Sequence, residues 1–210
     1  MRFSWLLCLV LSSCAGPVSP PADMVEVGAG ECWLGSDDAE AFFHPPRRVF
    51  IARFWIDRCE VTHQQYQRFD PGHRVPPGQE NCPVTHLTKE QALAYLRSQG
   101  KRLPSAAEWE KAARGSDGRR YPWGNRWEPE RGNLTASGRS GGFCSTARMK
   151  PVGSFPSGAS PYGCLDMCGN AWEWVSDLRQ GRPVIRGGAY GYRESDCRCS
   201  SYATEDAGFT

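Results

Sequence analysis

Apolar positions recur at helical spacing in three stretches of this chain, each opened by a hydroxyl residue. Thr88-Lys89-Glu90-Gln91 and Ser105-Ala106-Ala107-Glu108 both have the capping-box form. In it a hydroxyl and an amide or carboxylate satisfy the free N–H groups of the first turn. The first box predicts a helix running to Arg97 or Ser98 and stopping at Gly100. The second, after Pro104, sets Trp109, Ala112 and Ala113 on one stripe and stops at Gly115. Thr62 to Phe69 is a third, shorter candidate with a threonine cap. The segments 25–34 and 49–56 are rich in β-branched and aromatic residues and predict strands. Past Gly115 the pattern breaks into turns, with brief strands expected near Val152, at 172–175 and at 184–186. There are no internal repeats.

The first residues bear on the compartment. Arg2 precedes an apolar stretch from Phe3 to Leu11, far shorter than the roughly 20 residues of a membrane span but suited to a signal-peptide core. Leu11-Ser12-Ser13-Cys14 resembles a bacterial lipobox, whose cysteine becomes the lipid-modified first residue. The expected organisation is a signal peptide over 1–13, a lipidated Cys14 with a proline-rich tether over 14–24, and one domain over 25–210. Such a protein would be a bacterial envelope lipoprotein, on the periplasmic or surface side, held to the membrane through its anchor.

A net charge of +2 without a long basic run argues against nucleic acid as a partner. With 23 glycines and 16 prolines in 210 residues, a loop-rich fold is expected. Beyond Cys14 stand Cys32, Cys59, Cys82, Cys144, Cys164, Cys168, Cys197 and Cys199, an even set that in an exported protein favours disulfides of unassigned connectivity. Cys164, Cys168, Cys197 and Cys199 also allow a four-thiolate zinc reading, against which their irregular spacing counts. His44, His63, His73 and His86 lack metal-ligand spacing and are expected to be exposed or hydrogen-bonded.

The densest chemistry lies between Ser160 and Asp177, where turn residues, two tryptophans and three carboxylates share one short run. Asp166, Gly169, Ala171 and Glu173 could offer two carboxylates and two backbone carbonyls to one point, the all-oxygen shell that Ca²⁺ takes. A tight turn with solvated carboxylates is the plainer alternative. If 171–175 is extended, Trp172 and Trp174 share a face.

These motifs carry a resemblance. The run from Lys101 to Gly115, then Tyr121-Pro122-Trp123-Gly124-Asn125, the segment 151–156, the run from Ser160 to Asp177 and Arg186-Gly187-Gly188-Ala189-Tyr190 resemble, in order, the formylglycine-generating enzyme family, also called sulfatase-modifying factors. The resemblance spans about Val25 to Phe209. It implies an α+β fold, an irregular, loop-rich formylglycine-generating-enzyme-like variant of the C-type-lectin fold. It also implies a structural Ca²⁺ at positions matching Asp166, Gly169, Ala171 and Glu173. A second family calcium site would use Asn133 and Leu134 with an aspartate further along that loop, but none lies between Leu134 and Pro151.

Enzymes of this family oxidise a protein cysteine to formylglycine with molecular oxygen and a copper ion held by two thiolates. By resemblance Cys197 is the second of these, the catalytic and copper-binding candidate. The first falls on Tyr192, and the motif serine is Ala189. The expected function is therefore a binding or scaffolding module with a protein or peptide ligand, its contact surface near Trp172, Trp174, Tyr190 and Tyr192, with a place in the core as the preferred reading for the two tryptophans. Two alternatives stand beside it: a divergent copper-dependent oxidase pairing Cys197 with a partner such as Cys199, and a structural subunit of an envelope complex.

Overall fold

The three capping signals become three helices. In a computed structural model, residues 23–37, 45–134 and 148–205 and the backbone of 5–7 and 10–11 are described. The elements in chain order are β1 (Trp5–Leu7), β2 (Val10–Leu11), β3 (Met24–Val27), β4 (Gly30–Leu34), β5 (Arg47–Ile51), β6 (Phe54–Asp57), α1 (His63–Phe69), α2 (Lys89–Ser98), α3 (Ala106–Arg114), β7 (Trp172–Arg179), β8 (Arg182–Arg186) and β9 (Ala203–Thr204). Each helix is opened by a complete capping box, from Thr62, Thr88 and Ser105, and α3 stops against Gly115. Short elements joined by long irregular connections make this the α+β, loop-rich fold that the motifs imply. No helix of the described residues is long and apolar enough to cross a membrane.

Two expected strands are each broken in the middle. The segment 25–34 divides into β3 and β4, and 49–56 into β5 and β6, although the antiparallel register runs unchanged from Val25 opposite Ile56 to Leu34 opposite Arg47. Lys111, on α3, explains the interruption. Its ammonium donates to the carbonyls of Gly28 at 2.7 Å, Gly30 at 3.0 Å and Ile51 at 3.3 Å. Three acceptors at the gap thus meet the three donors of one buried lysine. The segment near Val152 is a turn rather than a strand, with its N–H donated to the Asn81 carbonyl at 2.9 Å.

The sheets are small: β1-β7-β8-β9, β2-β6-β3 and the β4-β5 hairpin. β1 and β2 fall within the stretch expected as a signal peptide, where β1 runs parallel to β7 and β2 pairs with β6. Its removal would open those two sheet edges. Cys14 and the tether to residue 22 lie outside the described residues.

β7 divides the core. Trp172 and Trp174 face one way, onto Tyr66, Tyr95, Leu96 and Ile185, as the alternation predicts. Val175 faces the other, onto Val27, Phe54, Ile56, Trp109 and Tyr202. Both tryptophans are about 3% exposed and belong to the core, the preferred reading, which leaves Tyr190 and Tyr192 of the four contact candidates. Tyr190 and Tyr192 are half-buried.

His63 and His73 are hydrogen-bonded, as expected of histidines outside a metal site. His63 Nδ1 and His73 Nε2 lie 2.8 Å apart, and the rings stack with centroids 5.1 Å apart. Such a contact needs one neutral acceptor nitrogen. Burial and then the His73 neighbour push the His63 pKa down to about 4. The unfolded chain takes up this proton near 6.5, so the stability held above that pH is lost as pH falls from 6.5 towards 4. The gap between 6.5 and 4 corresponds to about 3 kcal/mol, which solvent screening lowers to an expected loss of about 2 kcal/mol. Denaturant titrations at pH 7 and pH 4.5 measure it, and His63→Gln should flatten the slope between them.

Candidate metal and thiol sites

The loop before β7 winds tightly because four of its residues take positive φ: Gly163, Asp166, Gly169 and Asn170. Gly169 could not be replaced by a larger residue. Its φ is 100°, and a Cβ there would collide with the Asn133 carbonyl. Asn170 N–H donates to that carbonyl at 3.1 Å, and the Asn170 side chain accepts from Asn133 Nδ2 at 2.9 Å and from the Lys150 N–H at 3.0 Å. The loop thus presents Asp166 and Glu173 inward, both buried.

A third carboxylate joins them from the far side of the chain. Glu60, in the connection between β6 and α1, is 4% exposed and accepts from Asn170 Nδ2 at 3.2 Å. The Asp166 carboxyl lies close enough to raise the Glu60 pKa, and two acceptor groups at such range need a proton or a cation between them. Glu60 Oε2 has no hydrogen-bond partner. Asp166 accepts the Gly153 N–H at 2.6 Å, and Glu173 Oε2 accepts Trp109 Nε1 at 2.7 Å. Burial, then Asp166 and Glu173, hold the Glu60 carboxyl well above the usual carboxylate range. Burial likewise raises Asp166. Glu60 also lines a cleft of about 700 Å³, together with Asp57, Arg68, Tyr95 and Lys101.

This donor set fits the calcium that the fold family implies. Three buried carboxyls, with Glu60 Oε2 left without a hydrogen-bond partner, are hard-oxygen ligands suited to a divalent cation. Among the described residues, no three side chains of His, Cys, Asp or Glu form a metal-holding group by themselves. Backbone carbonyls would therefore be needed, and the Ala171 carbonyl oxygen and Glu173 Oε1 both lie near Gly187, 3.8 and 3.9 Å from the place of an added Cβ. The sequence reading missed Glu60, which lies more than a hundred residues before Asp166. At the second family position, Asn133 donates its Nδ2 to Asn170 Oδ1 and to the Arg148 carbonyl at 3.0 Å. The loop after Leu134, with Cys144, lies outside the described residues.

The thiols divide into separate groups. Cys164 and Cys199 pack into the cluster around Trp109 and Val175, whereas Cys168 and Cys197 pack with Tyr121 under Trp123, Trp127, Leu134 and Tyr192. The four thiols of the zinc reading are not gathered at one point. No disulfide joins the described cysteines. The thiol in side-chain contact with Cys197 is Cys168, not the expected Cys199.

Copper does not fit at the positions the family would use. Tyr192 stands where the first thiolate is required. Its ring meets Trp172 edge-on with centroids 5.4 Å apart, and its phenol oxygen is hydrogen-bonded by that indole. Burial pushes its pKa up to about 12, so it remains a neutral phenol at any physiological pH. A neutral oxygen donor is a poor match for Cu(I), which prefers soft thiolates.

The most family-specific motif, on α3, is structural throughout. Glu108 closes the capping box and pairs with Arg102 at 2.7 Å. Trp109 reaches Glu173, and Lys111 fills the strand gap. Glu110 accepts from Arg114 at 2.7 Å, Arg186 at 3.1 Å and the Gly35 N–H at 2.7 Å, all deep in the core. Arg114 then ties down the carbonyls of Gly35, Gly118 and Arg119.

Comparison with known proteins agrees with this geometry. Residues 14–210 match the family described as sulfatase-modifying factor enzyme 1-like domain. The formylglycine-generating enzyme of Bos taurus is 30% identical over 228 residues, covering 77% of this chain and 59% of that protein. The inactive C-alpha-formylglycine-generating enzyme 2 of Bos taurus is 39% identical over 119 residues, covering 51% of this chain and 38% of that protein. The chain thus spans about three-fifths of the first relative's length and less of the second's. The solved structure of PvdO from Pseudomonas aeruginosa shares the fold, with a TM-score of 0.71 at 23% identity over 88% of each chain. With its α3 motif, its loop before β7 and a family match over residues 14–210, the chain belongs to the formylglycine-generating enzyme, or sulfatase-modifying factor, family.

Proposed function

We propose that this protein is an envelope lipoprotein, anchored through Cys14, whose domain keeps the family's architecture but works as a binding or scaffolding module. The observation that carries this reading is Tyr192, a neutral phenol engaged with Trp172 at the place where a catalytic thiolate is needed. A relative named as inactive supports it, since the family's fold persists there without the family's activity. The partner is a protein or peptide. Half-buried Trp123, Trp127 and Tyr192 form the aromatic wall it would meet, a surface type that dominates binding hot spots. A structural Ca²⁺ held by Glu60, Asp166 and Glu173 with the carbonyls of Gly169 and Ala171 would keep the loop behind that wall in place.

The test is a peptide-oxidation assay. Copper-loaded protein mixed with a sulfatase-type cysteine peptide in air is expected to yield no aldehyde above a copper-only control. Aldehyde formation that disappears in Cys197→Ala would overturn the binding reading and establish a divergent oxidase.

A further inference from the structure

Cys168 and Cys197 are far apart in the chain but belong to loops that are bonded to each other. Gly169 N–H donates to the Gly187 carbonyl at 2.8 Å, and Tyr190 N–H donates to the Asn170 carbonyl at 3.0 Å. These bonds hold the loop before β7 against the loop after β8. Across that seam the two thiols lie in side-chain contact, 2% and 0% exposed, beneath Tyr121 and Trp123.

Glycines pack closely against the Cys197 side chain and the Cys168 backbone. Gly188, at a φ of 76°, lies so close to Cys197 that a Cβ would strike its sulfur, its Cβ and its Cα. Gly132 abuts the Cys168 carbonyl in the same way. Gly188 thus closes one side of the Cys197 thiol, and Gly132 fixes the backbone of Cys168. Cys199, the other nearby thiol, packs instead into the cluster around Trp109 and Tyr202.

We propose that Cys168 and Cys197 form a disulfide, so that the thiol which relatives commit to copper is here committed to a crosslink. In forming it, the two thiols lose two protons and two electrons, and one S–S bond is made. The electrons pass by thiol–disulfide exchange to a low-molecular-weight or protein disulfide, which leaves as two thiols. The bond would close a loop of about 30 residues and tie the seam between the two loops covalently. It also explains how Cys197 can persist without a thiolate partner at position 192. The proposal rests on the envelope reading for its oxidant in the cell, but the reaction can be tested without export.

The experiment uses the purified full chain, incubated with reduced and oxidised glutathione, then alkylated and digested without reduction. Trypsin cuts after Arg198, and a protease cutting before aspartate cuts ahead of Asp166, so Cys197 separates from Cys199 and Cys168 from Cys164. The expected result is one linked pair holding Cys168 and Cys197, 2 mass units lighter than its two free-thiol peptides. The oxidised protein should melt about 10 °C above the reduced one. Cys168→Ala and Cys197→Ala should each abolish that difference while melting near the reduced wild type. Both thiols found alkylated in oxidised, folded protein would overturn the proposal, as would Cu(I) retained by the two together or linkage of either to Cys164 or Cys199. Where an alanine variant fails to fold, the peptide map of the wild-type chain decides alone. A disulfide formed in glutathione but absent from protein isolated from the envelope would fault the compartment, not the pairing.

Discussion

Glu110→Ala is expected to lower the stability of the folded domain by 3–5 kcal/mol. Glu110 is 2% exposed and is the shared acceptor for two buried guanidinium groups, Arg114 and Arg186, 4% and 2% exposed. Removing it leaves two cations in the core without their counter-charge and orphans the Gly35 N–H. Some compensation remains. Arg114 keeps three carbonyls, and Arg186 keeps those of Cys199 and Ser201 at 3.3 and 3.2 Å while lying over the Trp109 ring. Those dipoles cannot replace a full charge at low dielectric, and Arg186 Nε has no partner even in the wild type. A domain stable by 5–15 kcal/mol would lose a large fraction of that reserve. Guanidinium unfolding reads the change as a lower midpoint at unchanged slope. In a double-mutant cycle with Arg186→Met, the combined loss should fall short of the sum by at least 1 kcal/mol. Additive losses would show that the two side chains act separately.

The second large effect concerns calcium. With Ca²⁺ at 100 times its dissociation constant, the folded state should gain about 2.7 kcal/mol over protein in chelator. For a domain of this size that is a rise in Tm of about 5–10 °C. Glu60→Gln tests whether the third carboxylate belongs to the site. It puts a neutral amide in place of a carboxyl that burial and its acidic neighbours already hold protonated, so it should leave the chelated protein about as stable as the wild type or more so. It should also reduce the gain from Ca²⁺ by more than half. A calcium response unchanged in Glu60→Gln would exclude Glu60 from the shell. The burial of Asp166 and Glu173 rules out solvated carboxylates, so no response in the wild type would leave carboxyls kept in place by shared protons and by the N–H groups of Gly153 and Trp109.

The two predictions meet on α3. Trp109 links Glu173 to that helix, Glu110 links it to β8 through Arg186, and Lys111 links it to the break between β3 and β4. One turn of helix thus sends three successive polar or aromatic side chains to three separate parts of the fold. That is why the motif identifies the family's architecture and carries no information about its catalysis. The catalytic question rests on Tyr192, Cys197 and Cys168, which pack around Tyr121.

What the chain determined by itself was local. Thr62, Thr88 and Ser105 open helices because a cap and its partner three residues on are already close in sequence, and the alternation along 172–175 sets both tryptophans on one face. The inward aim of Asp166 and Glu173 also follows from a short run of residues that permit positive φ. Only the tertiary structure decided the rest, since each remaining feature joins residues that no spacing rule connects. Glu60 comes to Asp166, Lys111 to three carbonyls in two strands, Glu110 to Arg186, and Cys168 rather than Cys199 to Cys197. The physical reason is that a buried charge or thiol needs a partner at contact distance wherever the fold can bring one. Sequence patterns record periodicity along the chain, while those partners are chosen by packing across it.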